Sequence, residues 1–415
     1  MFPTRWTILV SPGKFLQGKA WSKPGIVGAI FFIFLAVWFG IHFWGSHFLA
    51  AAQESCAHFR YEKARQQIHR CLAVWPGNYQ ANFLAARICR ACSDYPQAEK
   101  HLAVCVKLQG KSEDVELEWI LLRAQKGEFL DLERTLWKWS AEGHARANLI
   151  QETLVFCYMK DGRYVMARQA LDKWLGENPN AWGYFMRGFA AQKLGERTSA
   201  AADYQRALQL DPNYWQARVL LVQLLFAEKD YDQGRAHLSI LQQTHADSPD
   251  VLLFTGMDHF QKGDVDQAEK CYDLALQAMP TNALALTERG KLAMQKGQYV
   301  AAEKWLRGAL KSDLGSTAHF SLYQCLRSQP GREETAQAEI AHFKEKQERL
   351  HRQARKLEEW EKNPHNPDLL VELGEIFLLN QEVAKARQYL LRALQIRPDH
   401  EKARRLLPAT LKHSG

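Results

Sequence analysis

The sequence lacks the short motifs that mark the common catalytic sites. It contains no G-x-x-x-x-G-K-[ST] phosphate loop, no G-x-S-x-G nucleophile elbow and no H-E-x-x-H zinc motif. Its 15 histidines are scattered, and none is paired with a carboxylate at a spacing that demands explanation. We therefore expect a protein that is not an enzyme and that binds no cofactor.

Acidic residues are absent before Glu54, and the rest of the chain carries little excess charge. The net charge is +8, and half of it comes from Arg5, Lys14, Lys19 and Lys23. The remaining +4 is spread over about 360 residues, which is too dilute for a phosphate-binding surface. The composition thus predicts no nucleic-acid partner.

One long uncharged segment is present near the amino terminus. Residues 26–44 read IVGAIFFIFLAVWFGIHFW, with His42 as the single titratable side chain. A helix of about 20 such residues crosses the hydrocarbon core of a bilayer. The alternative, a cleaved signal peptide, has a shorter apolar region. We therefore predict a single transmembrane helix at 26–44.

The basic tail, residues 1–25, predicts the orientation of that helix. A short tail with basic and no acidic residues resists translocation across the membrane. Three basic residues also follow the span, at Arg60, Lys63 and Arg65, so the count alone is nearly even. We expect a single-pass protein with a cytoplasmic amino terminus and an extracytoplasmic carboxy-terminal domain.

After this segment the sequence repeats with a period of 34 residues. A small residue, two alanines, a large apolar residue and a proline recur at fixed positions, and three copies fill every position. The copies begin at Ala181, Pro249 and Pro367, and their matching residues are Gly188, Ala200, Tyr204, Ala207 and Pro212; Gly256, Ala268, Tyr272, Ala275 and Pro280; and Gly374, Ala386, Leu390, Ala393 and Pro398.

This pattern resembles the tetratricopeptide repeat (TPR), which implies two antiparallel helices, A and B, in each repeat. Weaker copies begin at Tyr79, Glu113, Asn148, Trp215 and Ala283, and helix A of an earlier copy occupies about 45–58. We predict an all-α fold, an α-solenoid of about ten repeats preceded by one transmembrane helix. The predicted segments are a basic tail (1–25), the span (26–44), an array of about eight repeats (45–316), a degenerate repeat with a long charged helix (317–362), a C-terminal repeat (363–400) and a capping segment with a tail (401–415).

The long charged helix, residues 331–362, has two interpretations. It holds eight basic and eight acidic residues, with Ile340, Phe343, Leu350 and Leu357 at heptad-like spacing. It is either an elongated helix B with solvated outer faces or a docking stripe for a partner helix.

The eight cysteines also leave alternatives open. Cys89 and Cys92 form C-x-x-C, but no histidine and no second matching pair follows. Cys71 and Cys105 hold a repeat position where the family has a small apolar residue, and free cysteine packs as one. We predict packing residues and no metal site, whereas an extracytoplasmic location would favour a disulfide.

The resemblance implies that certain positions of helix A line a concave groove. These positions are mostly apolar here, and no repeat has the lysine and asparagine pair that clamps a terminal carboxylate. We expect the groove to bind an amphipathic helix or an extended apolar segment of a protein, the alternative being side chains half-buried between neighbouring A helices. The predicted groove residues are Phe83, Phe156, Met159, Trp182, Phe185, Phe189, Phe226, Met257, Phe260 and Met294.

The order of segments is similar to that of bacterial envelope proteins with one amino-terminal span followed by TPRs. It differs from the subgroup with a carboxy-terminal zinc ribbon, because no cysteine follows Cys325. We expect a membrane-anchored scaffold that assists the assembly of an envelope or membrane complex. The alternative is an accessory subunit of a membrane enzyme or transporter, in which Gly28, Gly40 and Gly45 let the span pack closely against other helices.

Overall fold

The computed structural model describes residues 23–110, 112–312 and 318–410, with the backbone alone at 23–38, 41 and 312. Within these ranges every regular element is a helix. The predicted all-α solenoid of TPR-like helix pairs is therefore confirmed for the described residues. The chain forms two compact units, the first ending at Leu122 and the second beginning at Arg123.

Among the described residues, helices α1 to α20 alternate as A and B helices in chain order, and α21 with a short 3₁₀ turn ends the described chain. Their bounds are α1 Lys23–Ala57, α2 Tyr61–Val74, α3 Tyr79–Ala91, α4 Tyr95–Gln109, α5 Glu113–Arg123, α6 Phe129–Ala141, α7 Ala147–Asp161, α8 Tyr164–Glu177, α9 Ala181–Lys193, α10 Arg197–Leu210, α11 Trp215–Ala227, α12 Tyr231–His245, α13 Pro249–Lys262, α14 Val265–Ala278, α15 Ala283–Gln295, α16 Tyr299–Ser312, α17 Ala318–Arg327, α18 Glu333–Lys362, α19 Pro367–Leu379, α20 Val383–Ile396 and α21 Glu401–Leu406.

The first unit begins with the long helix α1, whose carboxy-terminal part packs against α2. Leu49 and Ala52 are buried there in one cluster with Ile68. A Cβ atom added at Gly45 would lie 2.4 Å from the Trp75 ring, so the two helices approach closely at that point. Because α1 is continuous, no loop separates residues 26–44 from the first helix pair.

Most of the predicted span lies outside the residues whose side chains are described. In the described part of the chain, no helix combines the length and the apolar character that crossing a bilayer requires.

A buried ion pair joins α3 and α5 in the first unit. The Arg90 guanidinium contacts the Glu118 carboxylate, and each side chain is only 2% exposed. A buried charge is tolerated in a protein interior when a partner of opposite charge compensates it. This pair therefore makes the packing of α3 on α5 depend on both residues.

The second unit begins with an irregular junction. Residues Ala124–Glu128 form a π-helical segment between α5 and α6, and Gly127 adopts φ 133°. Such a backbone conformation strongly favours glycine. The segment replaces the tight turn between helices A and B that the other repeats carry.

Within the second unit, the repeat signature corresponds to direct contacts between helices A and B. A Cβ atom added at Gly188 would lie 2.8 Å from the Tyr204 ring, and one at Gly256 would lie 2.7 Å from the Tyr272 ring. Both tyrosines are fully buried. The small residue on helix A is thus needed because the large residue on helix B fills the space beside it.

Helix α18 is 30 residues long and packs at both of its ends. Near its start, Glu339 lies 2.6 Å from His319 of α17. Near its end, Leu357 and Trp360 are buried in one cluster with α19 and α20. The apolar stripe of this helix therefore contacts its own chain: Ile340, Phe343 and Leu350 are half-buried and Leu357 is buried.

Candidate protein-binding face

The predicted groove residues of the second unit lie on its A helices, which are α7, α9, α11, α13 and α15. All but one of them are half-buried; the half-buried residues are Phe156, Met159, Trp182, Phe185, Phe189, Met257, Phe260 and Met294. A half-buried apolar side chain has a packed base and a solvated outer part. These eight side chains are the candidate protein-binding face.

Helix α9 supplies three aromatic side chains to this face. Trp182 packs edge-to-face on Trp174 with ring centroids 5.5 Å apart. The Phe185 ring lies 5.0 Å from that of Tyr214. The Lys193 ammonium lies 5.2 Å from the centre of the Phe189 ring, within the range of a cation–π contact. Each ring is thus positioned by a neighbour.

Helices α13 and α15 supply two methionines and one phenylalanine to this face. Met257 and Phe260 pack against the buried cluster around Leu253, and Met294 packs against the next cluster, around Leu322. Methionine has an unbranched, polarizable side chain that adapts to different shapes. This part of the face can therefore adjust to a bound segment.

Two predicted groove residues have different surroundings. Phe226 is only 3% exposed and lies in a core cluster with Phe254. Its ring occupies the space next to Gly234, where an added Cβ atom would lie 2.3 Å away. Phe83 is half-buried on α3 and stacks on Tyr79, and it belongs to the first unit. Eight of the ten predicted residues are thus half-buried side chains on A helices of the second unit.

Three of the charged residues at the inward positions of the A helices, Arg90, Lys291 and Glu375, have partners within the chain. Arg90 contacts Glu118, the Lys291 ammonium lies 2.7 Å from Glu288, and Glu375 lies 2.8 Å from the Lys402 ammonium. Charges that are already paired bind an external carboxylate weakly. The face is thus suited to apolar contact, and it lacks the arrangement of a carboxylate clamp.

Sequence reasoning missed a recurring ion pair that links successive repeats. Arg187 and Arg289 both hold the seventh position of a helix A. The Arg187 guanidinium lies 2.8 Å from Asp172 of the preceding helix B, and that of Arg289 lies 2.7 Å from Asp273 in the same way. The signal was present in the sequence, because these residues recur in register with the repeat.

The cysteines are free thiols that pack between helices. Burial raises the pKa of the Cys89, Cys92 and Cys105 thiols to about 11, so these remain protonated at neutral pH. The Cys71 thiol donates a hydrogen bond to the carbonyl oxygen of Gly45 at 3.4 Å. Among the described residues, no group of three or more histidine, cysteine or acidic side chains could hold a metal ion.

The chain resembles known proteins in sequence and in fold. It is 24% identical to the anaphase-promoting complex subunit CDC16 of Saccharomyces cerevisiae over 232 residues, which are 53% of this chain and 25% of that protein. It is 26% identical to the human cell division cycle protein 16 homolog over 135 residues, 32% of this chain and 22% of that protein. The chain thus spans at most a quarter of the length of these relatives.

One of the solved structures matched by the chain is that of the APC/C hetero-tetramer Cut9–Hcn1. It covers 88% of this chain and 96% of its own, with a TM-score of 0.38 and 12% identity. Family profiles described as tetratricopeptide repeat match residues 191–254, and residues 255–318 and 347–401. Repeats of this kind are generally non-enzymatic scaffolds. Residues 191–318 and 347–401 of this chain are therefore similar to tetratricopeptide repeats.

Proposed function

We propose that this protein is a membrane-anchored TPR scaffold that binds an apolar segment of a partner protein during assembly of an envelope or membrane complex. The row of half-buried aromatic and methionine side chains on α7, α9, α13 and α15 carries the proposal. These side chains gain further burial when an apolar helix or strand covers them, at about 25 cal/mol per Å² of apolar surface. No catalytic step is part of the proposed function.

The membrane anchor in this proposal is residues 26–44, and the exposed face of α1 supports it. Phe39 is 65% exposed, Phe43 68% and Trp44 55%. Large aromatic side chains are rarely left in water together, and they are enriched where a helix leaves the bilayer. These three residues lie at the end of the uncharged segment, immediately before Gly45, where the first unit starts to pack.

Site-specific photo-cross-linking in membranes tests the binding face. A photo-reactive residue at Phe189 or Phe260 is expected to trap the same partner, because both side chains belong to the half-buried row. Ile240 and Leu274 are the matched controls, being 41% and 48% exposed on B helices. An additional Met257→Asp substitution should abolish the adduct at Phe260, because a charge is costly to bury against an apolar partner. Equal adducts at the control sites, or no adduct at either test site, would contradict the proposal.

Membrane extraction tests the anchor. The full chain is expected to stay with the membrane in alkaline carbonate, whereas a chain that lacks residues 1–44 is expected to be released. Two reporter enzymes fused to Gly415 test the orientation, one active only outside the cytoplasm and one active only inside it. The basic tail predicts activity of the first reporter and none of the second. Release of the full chain by carbonate would refute the anchor. Activity of the reporter that works only in the cytoplasm would show the opposite orientation and would not affect the anchor proposal.

A further inference from the structure

The last repeat of the second unit returns to contact the first helices of the same unit. Arg392 of α20 forms an ion pair with Asp131 of α6. Leu130 of α6 packs against the buried cluster that holds Trp360 and Tyr389. We refer to this contact between α6–α8 and α18–α20 as the clasp.

Arg163, in the turn between α7 and α8, lies at the centre of the clasp. Its guanidinium donates two hydrogen bonds to the Glu133 carboxylate, at 2.8 and 3.0 Å, and its Nε lies 3.9 Å from Glu361 of α18. Its Cζ is 4.7 Å from the centre of the Tyr158 ring and 4.5 Å from that of Trp360. One buried cation therefore connects α6 and α7 with α18, which is far away in sequence.

The packing of the clasp is incomplete. A cavity of about 160 Å³ lies within it, lined among others by Phe129, Cys157, Asp161 and Tyr389. The Nε of Arg163 is buried without a hydrogen-bond partner. The Asp161 side chain, at the end of α7, lines the same cavity. Cavities and unpaired polar groups both destabilise an interface.

We propose that the clasp is a reversible contact that opens without unfolding of the repeats, and that the ionised Asp161 carboxylate favours the open state. Each repeat in the unit is held by its own helix pair and by its neighbours, as in other linear arrays. Opening the clasp therefore breaks contacts between the two ends of the unit only. It exposes the half-buried Asp161 carboxylate fully to water and admits water to the buried thiol of Cys157.

The charges around Asp161 determine how the clasp responds to pH. Arg163, Lys160 and Lys385 favour the ionised carboxylate, whereas Glu133 and burial oppose it, and burial is the largest effect. The pKa of Asp161 is accordingly raised to about 6 in the closed state. Further charged groups of the clasp are Asp131 on α6, Glu358 and Glu361 on α18, Glu382 at the start of α20 and Arg392 on α20. Burial also raises the pKa of Glu361, so both shifted carboxyl groups act in the same direction.

The direction in which pH changes the stability of the closed clasp follows from proton uptake. A carboxyl group whose pKa is higher in the closed state binds more protons there, so the closed state is favoured at low pH and loses stability as pH rises through about 4 to 6. An asparagine at position 161 mimics the protonated carboxyl group at every pH. The pKa of Asp161 differs by about two between the closed and the open state. The equilibrium constant for opening at pH 7.5 is therefore expected to be about 100-fold smaller in Asp161→Asn than in the wild type.

Chemical modification of the Cys157 thiol in the full chain tests the clasp, and mass spectrometry identifies which cysteine has reacted. Cys157 is 2% exposed and lines the cavity, whereas Cys325 is fully buried elsewhere in the second unit. With 4,4′-dithiodipyridine at pH 7.5, modification of Cys157 is expected to be about 100-fold slower in Asp161→Asn than in the wild type. At pH 5 the ratio should fall to about 10-fold, because Asp161 is then mostly protonated in the closed state. Comparing variants at one pH cancels the ionisation of the thiol.

Two controls identify the cause of a change. Asp247→Asn removes an exposed carboxylate from the same unit and should leave the rate at Cys157 unchanged. The rate at Cys325 should be the same in the wild type and in Asp161→Asn, since it reports unfolding of the repeats. Equal rates at Cys157 in the two proteins would overturn the proposal, as would a parallel change at Cys325.

Discussion

Replacing Glu118 with glutamine is expected to destabilise the first unit by about 3–5 kcal/mol. The substitution removes the carboxylate charge that contacts the Arg90 guanidinium, and both side chains are 2% exposed. The cost of an uncompensated buried charge exceeds that of losing one hydrogen bond. Amide hydrogen exchange in α3 and α5 measures the effect, and we expect it to become at least about 100-fold faster.

The double variant Arg90→Met, Glu118→Leu separates charge burial from the general sensitivity of this site. Because it removes both charges and keeps apolar volume, it should recover most of the lost stability. Glu62→Gln is the exposed control: its partner Arg65 is 48% exposed and Glu62 is 70% exposed. A surface pair of this kind contributes about 1 kcal/mol or less. If Glu118→Gln were no more harmful than Glu62→Gln, the ion pair would have no role in holding α3 on α5.

Replacing Arg163 with methionine is expected to destabilise the second unit by about 3–5 kcal/mol. Methionine fills much of the same volume, but Glu133 and Glu361 then keep their negative charges without the guanidinium between them. The contacts with the Tyr158 and Trp360 rings lose their cationic component as well. Modification of Cys157 should accelerate, because the clasp loses its central contact.

The variant Arg163→Lys tests whether the clasp requires the planar guanidinium as well as its charge. It retains the charge but cannot donate two parallel hydrogen bonds to Glu133, so we expect an intermediate loss of stability. Arg168→Met is the matched control, since Arg168 pairs with Glu196 at an exposed site where the two side chains are 34% and 40% exposed. A loss no larger in Arg163→Met than in Arg168→Met would show that the clasp does not depend on the buried cation.

The repeat positions could be predicted from the sequence because their contacts are local. Gly256 and Tyr272 lie in one helix pair, and the same geometric requirement recurs in every repeat. The groove was predicted less fully, since the exposure of a side chain depends on the facing helix as well as on its own. Phe226 holds an inward position of α11, but Gly234 on α12 leaves a space that the ring fills. Packing therefore makes Phe226 a core residue.

The sequence by itself determined the period of 34 residues, the pairing of helices and the apolar character of the inner positions, because these depend on residues close together in the chain. Only the tertiary structure placed Arg163 between Glu133 and Glu361 and brought Arg392 to Asp131. These contacts depend on small rotations accumulated over many repeats, and no local pattern encodes their sum. The tertiary structure also determined the boundary between the two units at Leu122 and the cavity beside Asp161.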